Sequence, residues 1–137
     1  MTYLSLKYAH VFVAIVALGS STAVGVILGF FSDDPQHGEF ALRLARRLLW
    51  IVAAGYVLML VSGMWMGRVA NLLDARWAEM AMNVWAAGAL FIGLALRSVY
   101  RQIRAPSRRE AALGRSYVAG WGLVLMVILY FMVFKPA

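Results

Sequence analysis

The 137-residue sequence contains no cysteine. That excludes disulfides, thiolate metal sites and cysteine nucleophiles, and leaves the redox compartment undetermined. Histidine is nearly absent too, with only His10 and His37, and acids are few, six against thirteen Lys and Arg. Charge is missing altogether from four long stretches, residues 11–31, 48–67, 80–96 and 116–134. A proton pump or transporter places an ionisable group near the middle of a span, and these stretches have none. The deepest acids, Asp74 and Glu79, fall at a boundary, so no intramembrane carboxylate pair exists. Neither a G-x-S-x-G elbow nor a phosphate loop is present. Together these absences argue against conventional catalysis, including an enzyme acting on a lipid or quinone.

What fills the chain is apolar. Hydrophobic residues make up 64% of it and the mean hydropathy is +0.78, where a soluble domain is about half apolar. Each uncharged stretch approaches the roughly 20 residues that cross about 30 Å of hydrocarbon at 1.5 Å per residue. A soluble core helix needs one apolar face, but these are apolar all round. The expected fold is all-α: a four-helix antiparallel transmembrane bundle, one domain over 1–137, with helices over about 4–31, 38–67, 77–104 and 114–134. The first stretch outruns the 7–15 apolar residues of a secretory signal and is read as a retained helix. The spans and their short loops leave no length for an extramembrane domain.

The formal charge of +7 suggests nucleic acid only if the spans are ignored. In a membrane protein it reports the basic loops that set orientation, and the expected partner is lipid. Nine cations, Arg43, Arg46, Arg47, Arg97, Arg101, Arg104, Arg108, Arg109 and Arg115, belong to the first and third loops and their flanks. Four, Lys7, Arg68, Arg76 and Lys135, belong to the other side. The first and third loops are therefore expected in the cytoplasm of a bacterial inner membrane, with both termini periplasmic. Arg97, Arg101 and Arg104 follow helical spacing, so the third helix is expected to extend beyond the bilayer. With Arg108 and Arg109 they are candidate lipid-headgroup contacts. In the first loop, Asp34 before Pro35 is a helix-start signal, and Glu39 and Arg43 lie one turn apart. The acids around His37 are attributed to capping and solvation rather than to a metal. Tyr3, Trp65 and Trp77 fall near the outer boundary, and Trp50, Tyr100 and Tyr117 near the inner one, as aromatic belts.

The opening segment carries the most distinctive pattern. Lys7, His10, Ala14, Ala17, Ser21, Gly25 and Gly29 share one helical face. Ala17, Ser21, Gly25 and Gly29 form a small-xxx-small ladder, which in lipid lets helix backbones approach closely. That face should point into the bundle or at a second copy, and His10 with it. Ser62, Met66, Met80, Met82, Asn83, Tyr130 and Met132 fall at a similar depth on the other helices. Candidate cofactor-binding residues are His10, Lys7, Met66, Asn83 and Tyr130, with His10 the candidate metal ligand. Three readings are open. Imidazole with a thioether suits haem, with Ala14, Ala17, Gly63 and Trp85 around the porphyrin. It also suits copper(I), although in the M-x-M pairs 64–66 and 80–82 residues two apart point about 200° apart on a helix. In the third, His10 only hydrogen-bonds Asn83, Tyr130 or Ser62 across helices.

The stretch YLSLKYAHVFVAIVALG, with Lys7 and His10 spaced K-x-x-H before an Ala/Gly-rich helix, resembles a family of small bacterial integral membrane proteins of unknown function. The second-helix run RLLWIVAAGYVLMLVSGMWM looks like the same family's second helix. More distantly, the chain is similar to the membrane domain of copper-resistance-D proteins and to membrane-bound, haem-binding protoporphyrinogen oxidases. Those relatives usually carry further intramembrane histidines, which this chain lacks. The resemblance implies a bacterial inner membrane location and leaves the activity unnamed. Two functions are therefore expected: an outer-leaflet site around His10 for haem or a metal ion, or a non-catalytic structural or assembly subunit. Either one is expected to be homo-oligomeric through the small-residue face or to pack against another membrane protein.

Overall fold

The computed structural model describes residues 3–71, 73–74, 76–105 and 111–134. Among them are four helices and no strand: α1 (Tyr3–Phe30), α2 (Gly38–Val69), α3 (Arg76–Arg104) and α4 (Ala111–Phe134). Three helical segments, Tyr3–Phe30, Gly38–Val69 and Ala78–Arg104, are long and apolar enough to cross a membrane. Among the described residues the comparable stretch of α4 is Arg115–Ile128. The anticipated boundaries differ from these by at most a few residues at each helix end.

Helix ends follow local chemistry. Ser32 is buried and donates to the Leu28 carbonyl at 2.6 Å, taking up one of the acceptors that the end of α1 leaves open. One carboxylate oxygen of Asp34 accepts the N–H groups of Gln36 (2.7 Å) and His37 (3.1 Å), and the Asp34 carbonyl accepts from Gly38 at 2.8 Å. The helix-start signal at Asp34 and Pro35 thus caps a turn just ahead of α2. Those backbone donors, with the His37 side chain, hold the Asp34 carboxyl below the usual range. After α2, Asn71 takes a left-handed conformation (φ 52°) and its N–H returns to the Arg68 carbonyl at 3.2 Å. Asparagine tolerates that terminating position better than most non-glycine residues.

The helices close a ring, α1 against α2 and α4, and α3 against α2 and α4, which leaves α1 and α3 across the diagonal. α2 supplies Leu42, Ala45, Leu49, Val52 and Tyr56 to the core, a three-and-four spacing that marks one face. From α3 come Ile92, Ala95 and Val99; from α1, Val24 and Leu28; from α4, Tyr117 and Trp121. The surface is as apolar as the interior: Phe12, Ile15, Val57, Leu90, Leu123 and Met126 are all more than half exposed. Such a surface suits hydrocarbon, not water.

Close approach is concentrated where residues are small. A Cβ built on Gly55 would lie 2.7 Å from the Ala17 Cβ, and one on Gly25 would lie 2.8 Å from a Val118 methyl. The ladder of α1 is therefore used inside the chain. Ala17 meets α2, and Gly25 meets α4. Between them Ser21, fully buried, shares a 2.7 Å hydrogen bond with the Tyr117 hydroxyl. Gly29 is buried as well.

Candidate functional site

His10 lies just over two turns into α1, on the face turned to α2. Its Nδ1 is 2.7 Å from the Ser62 hydroxyl, and the imidazole is half-buried. Ser62 sits between the two helices by way of its own backbone: its hydroxyl is 2.7 Å from the Leu58 carbonyl and 3.2 Å from that of Met59. A hydroxyl has one proton. When Ser62 gives it to the Leu58 carbonyl, His10 donates from Nδ1 and keeps the lone pair on Nε2. The next residue of α2 is Gly63, and a Cβ there would lie 3.4 Å from the His10 Cε1. The ring therefore rests on the backbone of α2, with Ser62 at one edge.

The other candidates are not gathered around this ring. Lys7 is exposed one turn earlier. Met66 is half-buried and shares the Ser62 face of α2, four residues on, whereas Met64 is exposed. Asn83 is exposed on α3, across the diagonal from α1, and Met80 and Met82 are exposed beside it. Tyr130 is exposed near the end of α4, its ring 4.9 Å from that of Phe134. The side chain of Met132 lies outside the described residues. Of the three partners anticipated for His10, Ser62 is the one hydrogen-bonded to it.

This donor set does not fit a haem or a copper ion held by one chain. Among the described residues it offers one imidazole, already bonded through Nδ1 and packed on Gly63, and one thioether, Met66, on the Ser62 face of α2. Ala14 and Ala17, anticipated beside a porphyrin, are buried against protein. Trp85 instead donates to the Tyr56 carbonyl at 3.1 Å, with its ring 5.9 Å from that of Tyr56. Around His37 the acids divide: Asp34 faces the imidazole at 3.2 Å, while Glu39 pairs with Arg43. Among the described residues no three of His, Asp and Glu converge.

An aromatic cluster in the middle of the bundle was not anticipated. Tyr117 and Trp121 stack with planes 2° apart and centroids 6.1 Å apart, and Tyr56 lies 5.8 Å from Trp121. Tyr117, expected in the inner aromatic belt, points inward because Ser21 offers its hydroxyl a partner inside. Trp50 and Tyr100 do remain peripheral, joined at 3.4 Å, with the Arg46 guanidinium 5.9 Å from the Tyr100 ring centre. The i,i+4 spacing of Tyr117 and Trp121 was the available signal, since it puts both rings on one face of α4. Arg97, Arg101 and Arg104 are exposed along one side of α3, as a headgroup-contacting stripe requires. Arg108 and Arg109 lie outside the described residues.

No family model matches the chain, and no curated protein or solved structure is similar to it.

Proposed function

We propose that the chain is a four-helix antiparallel bundle in a bacterial inner membrane, with both termini periplasmic. In this reading it acts as a non-catalytic structural or assembly subunit of a membrane complex. The short connections between helices that pack consecutively support the antiparallel arrangement. The nine cations of the first and third loops against four elsewhere support the orientation. In this arrangement α4 is the fourth span.

One observation carries the structural reading. His10, the only histidine within an apolar span, is bonded to Ser62 and packed on Gly63, which joins α1 to α2. Interhelical hydrogen bonds of this kind contribute roughly 0.5–2 kcal/mol in membranes. Among the described residues the buried interior is aromatic and aliphatic apart from Ser21, Ser32 and Gln102, and holds no charge for a transport path.

A second reading rests on the other ring nitrogen. With His10 donating from Nδ1 to Ser62, the Nε2 lone pair is available, as it is where an outer partner holds a metal-ligating histidine. A porphyrin iron or copper(I) held there would need its remaining ligands from another chain, such as a second copy. An absorption spectrum with metal analysis of the purified protein separates the two. The structural reading expects neither a Soret band nor stoichiometric copper, and a modest loss of thermal stability in His10→Ala. A Soret band or bound copper that disappears in His10→Ala would overturn it in favour of the ligand.

A further inference from the structure

At the Arg-rich end of the bundle, α3 and α4 part to leave a cleft of about 220 Å³. Its long wall is apolar, Phe91, Leu94 and Ala95 of α3 with Leu28 of α1. Its far end is polar, with Ser98 and Gln102 facing Ser116 and Tyr117. Leu94 is 53% exposed, so the cleft opens sideways between the two helices onto the apolar surface of the bundle. For scale, an apolar protein cavity of about 150 Å³ binds benzene. The space therefore takes a segment of hydrocarbon chain.

The polar end carries an unanswered group. Gln102 is 5% exposed, and its amide nitrogen donates to the Ser98 hydroxyl at 3.1 Å. Its buried carbonyl oxygen has no partner among the described residues. Leaving a buried acceptor unmatched is costly, and more so away from water. Turning the amide over only exchanges an unmatched acceptor for an unmatched donor. A hydroxyl answers either. Cations lie next to the lining residues in sequence: Arg97 and Arg101 are three residues beyond Leu94 and Ser98 on α3, and Arg115 immediately precedes Ser116 on α4. All three are exposed.

Along α3 toward its end the apolar wall of Phe91 and Leu94 comes first, then Arg97 and Arg101, with the Gln102 amide one residue beyond Arg101. This is the order of acyl chain, phosphate and hydroxyl-bearing headgroup in a phospholipid. We propose that the α3–α4 cleft is a binding site for one anionic phospholipid whose headgroup bears free hydroxyls. The chain lies along Leu94 and Phe91, a headgroup hydroxyl meets the Gln102 amide, and Arg101 and Arg115 meet the phosphate. A general attraction of basic loops to anionic lipid does not require Gln102 or a cleft, and the two are separable by substitution.

The test is native mass spectrometry of the full chain released from detergent carrying phosphatidylglycerol, phosphatidylserine or phosphatidylcholine in turn. Wild type should retain one phosphatidylglycerol per chain, in preference to phosphatidylserine and phosphatidylcholine. Inorganic phosphate and glycerol 3-phosphate should not displace it. Gln102→Leu should lower phosphatidylglycerol retention about fivefold, the scale of one hydrogen bond. Leu94→Trp, at the exposed mouth, should block retention while leaving the thermal transition in detergent in place. Equal retention of phosphatidylglycerol and phosphatidylserine, or undiminished retention in both variants, would overturn the site and leave only charge attraction. Retention of phosphatidylcholine equal to that of phosphatidylglycerol would overturn it as well.

Discussion

The two sides of the bundle are built differently. Between α1 and α2 the contact is made by small residues and matched polar groups: Ala17 on Gly55, His10 on Ser62, and Ser21 on Tyr117 where α1 turns to α4. Between α3 and α4 the contact is made by large side chains around a gap. Phe91 fills the place where a Gly120 Cβ would stand, a Cβ that would fall 2.7 Å from the ring, and the cleft opens beyond it. In lipid, apolar burial does not drive helices together, so close packing and hydrogen bonds must do so. The first side is held by those forces. The second side leaves the Gln102 amide oxygen on α3 and the Trp121 indole N–H on α4 unmatched, with space beside the first. The same chain thus has a closed half and an accommodating half.

The largest way to break this comparison is to enlarge a residue on the closed side. Gly55→Leu should cost about 2–3 kcal/mol, because Ala17 sits where the new side chain must go and neither backbone can retreat cheaply. Gly93→Ala is the matching change on α3, where nothing lies within 4 Å of the new Cβ. It should be neutral or stabilise by up to about 1 kcal/mol from helix propensity. Denaturant titration in mixed micelles measures both. Equal losses would mean that the closed side is not closed.

Removing a matched hydroxyl comes next. Ser21→Ala strips the Tyr117 hydroxyl of its buried partner and should cost about 1–2 kcal/mol by the same titration. Ser98→Ala, beside the cleft, should cost less, since its partner amide is already only half-matched. The smallest effect lies outside the helices. Asp34 has its pKa lowered, first by the Gln36 N–H, so its contribution is fully present above the ordinary carboxylate range. It is lost as pH falls through the lowered value. Thermal unfolding followed downward from about pH 5 should show an acid-side decline that Asp34→Ala removes. An unchanged pH profile in that variant would assign the decline to other acids.

Much of the architecture was legible because hydropathy reports it directly. Uncharged stretches of near-spanning length mark the helices, and Asp34 with Pro35 marks the turn before α2. The inward face of α1 was legible as well, because a four-residue series of small side chains can only pack closely. What that face packs against was not, since spacing on one helix says nothing of its neighbour. Hence Gly55 and Tyr117, as the partners of Ala17 and Ser21, emerge only from the three-dimensional arrangement. Depth along a span misled for the same reason. Asn83 and Tyr130 were expected near the level of His10, but depth fixes one coordinate of three, and both are exposed. Tyr117 looked like a belt residue by position, yet a partner hydroxyl on another helix turned it inward. Gln102 gave no signal in a basic segment, where a polar residue is expected at the surface.

The central claim is that His10 joins α1 to α2 through Ser62. A double-mutant cycle over His10→Ala and Ser62→Ala, read as unfolding free energy in mixed micelles, tests it most directly. Each single change should destabilise, and the double variant should lose little more than either one, giving a coupling of about 1 kcal/mol. Fully additive losses with no coupling would contradict the account and return His10 to the search for a ligand.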